Sequence, residues 1–393
     1  MLIDELIEKG SINFRKENRK EVYEERFKAI TETTRRQFEK CGLYRQFCKQ
    51  KNFDPRQDLK KIEDIVKIPY LTTANFKRKA GKPKGFLCVP ESEINVYTTS
   101  SGTSGDPSIV GRDIINLKRF FKMFDFVFEH LFDFHHYDWT LFFQPPHRRA
   151  FSIEDKVEEP QFHMGYIFNV QNALPLEKRL FTLKLADEES RKRGKPFEFD
   201  SKTTFGFLND SPSEKGIGWI AGAVPMIYSS LVGYHEKTGK TFNVGEKSIL
   251  AFGGGWKTFS GEAVSPEKFR NDMSKILGIP QSQIFDVYSF TETDCLFCEC
   301  EHHNKHSLPW QDVIVRDVET LEPVEVGEKG LINVINPVAY SYAGVSILQD
   351  DIVRVKMVDD CPCGRKGKVI EVIGRVEGAE SKGCGAQVVE DTK

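Results

Sequence analysis

The run Thr98-Thr99-Ser100-Ser101-Gly102-Thr103-Ser104-Gly105 crowds hydroxyls and glycines together. Glycine lets a backbone approach an anion closely, and hydroxyl and N–H groups donate to it, so the run can cradle phosphates. A plain Ser/Gly turn is the competing reading. Asp106-Pro107-Ser108 follows in place of Gly-Lys-[Ser/Thr], which disfavours a Walker-type kinase or ATPase. Further on, Gly253-Gly254-Gly255 offers a surface free of side chains for a planar group, with Trp256 and Lys257 next to it. Tyr288-Ser289-Phe290-Thr291-Glu292 sets a threonine for phosphate beside a glutamate for Mg²⁺.

Cysteine and histidine form a second constellation. Cys300 and His306 have a Cys-x5-His spacing, and Cys361-Pro362-Cys363 follows downstream. Three thiolates and one imidazole make a closed tetrahedral zinc set, structural because no position stays open for substrate. Buried free cysteines are the alternative. Cys295, Cys298, His302 and His303 are neighbouring choices of ligand. Close to the C-terminus, Cys384 lies between Gly383 and Gly385, and Lys382 favours its thiolate. On the residues alone it reads as a plain tail cysteine.

Elements must hold these groups. Val22, Phe27, Ile30, Thr34 and Phe38 recur at helical spacing, which predicts an amphipathic helix over 19–41 with Gly42 as its stop. Residues 94–97 read as a strand entering the hydroxyl run, and 114–134 as a Phe-rich helix. Residues 249–252 and 284–288 read as short buried strands. Ser265-Pro266 starts a helix reaching about Leu277. Residues 182–216 read as a surface excursion, and 313–375 as a small β region. Strands alternating with helices predict α/β layers, and three Gly/hydroxyl-rich strand exits suit ligand binding at the carboxyl ends of strands.

Composition narrows the classes. The 393 residues carry a formal net charge of −2, without the basic excess that nucleic acid or an anionic membrane would select. No apolar run approaches the roughly 20 residues of a membrane span. Met1-Leu2-Ile3-Asp4-Glu5 lacks a signal-peptide core, so a cytoplasmic location is expected. Nine cysteines, an odd number, then point to metal or thiol chemistry rather than disulfides. The 31 phenylalanines read as core filling. Segments 120–134, 142–149 and 222–226 are alternative walls of an apolar pocket, with His147 and Arg148 as alternative carboxylate contacts.

In order, these segments resemble those of the adenylate-forming enzymes, which join a carboxylic acid to AMP. The likeness is strongest to the acyl-protein synthetase branch, the fatty-acid ligases of bacterial bioluminescence, and weaker to phenylacetate–CoA ligase. It rests on Tyr97 to Gly105, Gly253-Gly254-Gly255-Trp256-Lys257, Tyr288 to Glu292, Asp350-Asp351-Ile352, Gly374-Arg375 and Gly383-Cys384. The resemblance implies an α/β adenylate-forming large domain over 1–373, with mixed sheets flanked by helices and a zinc-stapled β region over about 295–373. It implies a short hinge-like tail over 374–393 in place of a full small domain.

The same resemblance implies that Thr99, Ser100, Ser101, Gly102, Thr103, Ser104 and Gly105 hold the ATP phosphates and that Gly253 to Gly255 lie on adenine. Tyr288 belongs to the nucleotide site, Thr291 contacts phosphate, and Glu292 ligates Mg²⁺. Asp351, with Asp350 as competitor, and Arg375 reach the ribose. Cys300, His306, Cys361 and Cys363 hold structural Zn²⁺, a set similar to one in phenylacetate–CoA ligase-like proteins. Cys384 accepts the acyl group and passes it to an acyl-reductase or other acceptor protein. Thr103, Glu292, Lys257 and Cys384 are the expected catalytic residues.

Two departures bear on mechanism. Ser108 stands where many relatives place a lysine, so phosphate charge must be neutralised by Mg²⁺ or from elsewhere. The resemblance to the acyl-protein synthetase branch implies that the domain that usually brings a catalytic lysine is truncated here, which makes Lys257 a guess whose plain alternative is a solvated charge. A CoA or carrier-protein thioester ligase, and a non-catalytic nucleotide-binding interaction protein, are the competing functions.

Overall fold

The computed structural model describes all residues except 80, 101–105, 147–149, 172–173, 193–196, 255–263 and 377–393. Its frame is a twelve-stranded mixed sheet. One half is parallel: Arg179–Phe181, Trp139–Phe143, Gly218–Ala223, Ile249–Gly253 and Ile284–Tyr288 lie side by side. From Phe297–Glu299 onward the pairing turns antiparallel, through Lys305–Ser307, Lys368–Arg375, Ser346–Val358 and Lys329–Ile335 to Asp312–Arg316. A separate three-stranded sheet carries Ile94–Thr99 between Ile109–Asp113 and Val157–Phe162.

Local sequence explains the helices between these strands. Asp113 caps Ile114–His130 by accepting the Asn116 N–H at 2.8 Å. Ser265 caps Pro266–Leu277 from the Lys268 N–H at 3.1 Å, and Gly278, at φ +72°, closes it. The helix expected over 19–41 runs Arg19–Lys40 with Val22, Ile30, Thr34 and Phe38 buried. Gly42 is not its stop. Cys41 ends that helix and also caps the next, Gly42–Gln50, its sulfur accepting the Tyr44 N–H.

The Phe-rich segment is core. Phe124, Phe128, Phe142 and Phe168 ring the fully buried Trp219 at centroid distances of 4.8–6.4 Å, and Phe132 stacks on Phe285 at 4.3 Å. Each buried ring contributes about 1.5–3 kcal/mol by leaving water, which outweighs a pocket-lining role for 120–134. Residues 182–216 are not merely a surface excursion either. Leu183–Leu185 pairs with Phe197–Phe199, and Ser201–Asn209 buries Thr204, Phe205 and Leu208. Alternation with Lys and Glu hid that apolar face.

Candidate active site

Three parallel strands end together. Gly253 stands opposite both Ala223 and Val287, one residue short of Tyr288, so the exits of Gly218–Ala223, Ile249–Gly253 and Ile284–Tyr288 form one rim. A Cβ on Gly253 would come 2.7 Å from the Val287 carbonyl oxygen, and Gly254 has φ +78°. Glycine is therefore required at 253 by close strand approach and favoured at 254 by backbone conformation. Gly255 and Lys257 lie outside the described residues.

The hydroxyl run hangs on the Ile94–Thr99/Ile109–Asp113 hairpin. Ser101, Gly102, Thr103, Ser104 and Gly105 lie outside the described residues, but the neck of the run is defined. The Ser108 N–H donates to Ser100 Oγ at 2.9 Å, and the Ser100 N–H returns to the Ser108 carbonyl at 3.0 Å. Thr99 and Ser100 are half-buried and Thr98 is fully buried.

Behind this neck lies Arg112, which sequence reasoning missed. Its guanidinium is 1% exposed and forks onto Asp294, with Nε 3.0 Å from Oδ1. It also donates to the Thr98 hydroxyl and, at 2.6 Å, to the Thr291 carbonyl. Asp294 accepts further from Asn116 Nδ2 at 2.6 Å and the Tyr342 hydroxyl at 3.1 Å. One buried cation thus joins the root of the hydroxyl run to the Thr291-Glu292 turn. Its only trace in the sequence is a charge two residues after Val110, where strand alternation puts it on the same buried face.

Glu292 is 3% exposed. Burial raises its carboxyl above the usual range; the Ser108 hydroxyl beside it and the charges of Lys77 and Arg112 oppose that rise. The Tyr288 hydroxyl donates to Asp351 Oδ2 at 2.9 Å. Arg375, opposite Asp351 in the ladder, brings Nε to 3.9 Å from Asp351 and Nη2 to 3.6 Å from Asp350. Tyr288, Asp351 and Arg375 therefore converge, and Asp351 rather than Asp350 takes the tyrosine. Burial raises the half-buried Asp350 despite Arg375.

The thiol cluster assembles on the antiparallel half. Cys300, His306, Cys361 and Cys363 are all buried, with one ligand atom from each lying within 4.8 Å of the rest. Cys300 Sγ is 3.9 Å from Cys361 Sγ, and Cys363 Sγ is 3.3 Å from His306 Nε2. Zn–S bonds of about 2.3 Å in a tetrahedron space sulfurs at roughly 3.8 Å, so the donors fit zinc. A hydrogen bond from Cys300 pulls the Cys363 thiol far below its usual range and drives Cys300 up. Burial lowers His306, but its bonds to Cys361 and Cys363 outweigh this and raise it. Cys298 faces His306 across the ladder, yet neither it nor Cys295, His302 or His303 joins the group.

The acyl-protein synthetase (LuxE) profile matches residues 2–392. This chain belongs to that family. A long-chain-fatty-acid–luciferin-component ligase of Vibrio harveyi is 26% identical over 343 residues, 87% of this chain and 81% of that protein. Its Aliivibrio fischeri counterpart is 25% identical over 370 residues, 94% and 88%. A phenylacetate–coenzyme A ligase of Thermus thermophilus is 29% identical over 105 residues, 27% and 22%. Among solved structures, 2-hydroxyisobutyryl-CoA ligase with 2-HIB-AMP and CoA superposes with a TM-score of 0.63 at 15% identity, covering 93% of this chain and 70% of that one. That likeness is one of fold, the adenylate-forming fold. The enzyme is an acid–thiol ligase that activates a carboxylic acid with ATP as acyl-AMP and transfers the acyl group to a thiol. Among the described residues, no helix is long and apolar enough to cross a membrane.

Proposed function

We propose that the acid is a fatty acid, that the first thiol is Cys384 of this chain, and that an acyl-reductase protein takes the acyl group onward. The observation that carries the site assignment is the convergence of Tyr288, Asp351 and Arg375 beside the Gly253 exit, on the same rim as the Arg112-tied threonines. Adenine lies on Gly253 to Gly255. Asp351 accepts hydrogen bonds from the ribose hydroxyls, and Arg375 donates beside it. The hydroxyls and N–H groups of 99–105 and the Thr291 hydroxyl hold the phosphates. Glu292 is the protein ligand for Mg²⁺, which supplies neutralising charge when bound.

The chain aligns reactants rather than reacting in the first step. A carboxylate oxygen attacks the α-phosphorus, the new P–O bond forms, and the bond to pyrophosphate breaks. The Cys384 thiolate then attacks the acyl carbonyl and AMP leaves. Residues 1–373, with Arg375 from the start of the 374–393 tail, carry activation, and Cys384 in that tail is the acceptor. Cys300, His306, Cys361 and Cys363 hold a structural Zn²⁺. Acid-dependent ATP–pyrophosphate exchange, run over fatty and aromatic acids of graded length, tests the reading: exchange with long fatty acids supports it, and absence with every acid refutes it.

A further inference from the structure

The proposed site has a charge problem. The triphosphate brings several negative charges, Glu292 and Asp351 add more, and Ser108 occupies the position where a loop lysine would answer them. The segment after Phe76 addresses this. Lys77 forms an antiparallel bridge with Ser108, the Arg78 N–H donates to the Pro107 carbonyl at 3.0 Å, and the Lys79 N–H donates to Asp106 Oδ1 at 2.9 Å. Residues 77–79 are thus tied by one isolated bridge and two hydrogen bonds to residues 106–108, just after the hydroxyl run.

Residues directly opposite in an antiparallel pair project to the same face. The Ser108 side chain lies beside Glu292, so Lys77 projects to that face also. The charge of Lys77 acts on Glu292, from the phosphate turn, and on Asp350, from the ribose end. Lys77 is half-buried and its charge reaches two motifs that arrive from distant parts of the chain, while Arg78 and Lys79 are exposed.

Resting on the nucleotide-site reading above, we propose that Lys77 is a catalytic residue, contacting the ATP phosphates and neutralising charge as pyrophosphate departs. The fixed backbone bridge holds its stem, so the ammonium needs little reorganisation.

The test compares wild type, Lys77→Met, Lys77→Arg and Lys79→Met in ATP–pyrophosphate exchange, with Mg·ATP binding by equilibrium dialysis and thermal melting alongside. Lys77→Met should lower kcat/KM for Mg·ATP by about a hundredfold and leave the KM for the acid unchanged. Lys77→Arg should recover most of the loss, and Lys79→Met should match wild type. Exchange by Lys77→Met within threefold of wild type overturns the assignment. So does a loss that arginine leaves unrelieved and that tracks a lowered melting temperature. If wild type exchanges with no acid, the functional reading fails separately. Lys77 is then decided by dialysis: tenfold weaker Mg·ATP binding by Lys77→Met supports it, and equal binding refutes it.

Discussion

Replacing Arg112 by methionine tests whether the two threonine segments are held together by a buried charge. The guanidinium and Asp294 are 1% and 0% exposed, so the substitution leaves a carboxylate stranded in the interior. Breaking such a pair from one side costs about 3–5 kcal/mol. Asn116 and Tyr342 still donate to Asp294, which places the expected loss near the lower end, about 3 kcal/mol. Against a total stability of about 5–15 kcal/mol the variant stays folded at room temperature. Asp294→Asn should cost a similar amount, because it strands the cation instead. In Arg112→Met/Asp294→Asn neither charge is left alone, so the double variant should be more stable than the summed losses by about 2 kcal/mol. Urea unfolding followed through the buried Trp219 and Trp310 reads all four proteins. A loss below about 1 kcal/mol in Arg112→Met, or strict additivity in the double variant, would show that the network does not couple these segments.

Three further outcomes follow from the site. The purified protein should contain one zinc per chain by elemental analysis; Cys361→Ser should lose the metal and melt at a lower temperature, and an equally stable, metal-free wild type would exclude the staple. Glu292→Gln should cut pyrophosphate exchange by about a hundredfold with an unchanged melting curve, and unchanged exchange would remove Glu292 from the magnesium role. Cys384→Ala should spare exchange yet abolish labelling of the chain by radioactive fatty acid on a denaturing gel; persistent labelling would assign the acceptor to another residue.

Local signals were legible wherever function leaves a short, periodic or unusual run. The strands at 249–253 and 284–288, the Ser265 cap and the Cys300/His306/Cys361/Cys363 set all follow from such runs. What eluded the sequence depends on long-range pairing. Arg112 and Asp294 are separated by 182 positions, and an arginine in a short strand ordinarily reads as solvent-facing. Lys77 belongs to a mixed, basic stretch whose pairing with Ser108 has no periodic signature. Gly42 failed as a stop signal because Cys41, through its sulfur, serves as the junction between two helices. The surface reading of 182–216 holds for the exposed Leu183–Leu185/Phe197–Phe199 hairpin and missed the buried face of Ser201–Asn209, whose apolar residues are interrupted by polar ones.

The thiol cluster and the nucleotide site are ends of one ladder. Ser346–Val358 pairs with Lys368–Arg375, Asp351 standing opposite Arg375 at one end and Val358 opposite Lys368 at the other. Val358 is about 23 Å from Asp351 at strand rise, and Cys361 and Cys363 lie in the turn just beyond it. A one-residue slip in this ladder would move Arg375 to the opposite face and separate it from Asp351. The turn is secured from outside as well. Arg15 donates to the Cys363 carbonyl at 3.3 Å, Arg19 pairs with Asp359 at 3.0 Å, and Tyr23 donates to the same carboxylate. A metal bound here would touch no reactant, yet it would hold the register that brings Asp351, Tyr288 and Arg375 together. Its loss should therefore weaken nucleotide binding only as far as the ladder loosens. Partial chelation should lower stability and nucleotide affinity in parallel, whereas a metal acting in the chemistry would cost turnover while the melting curve stayed fixed.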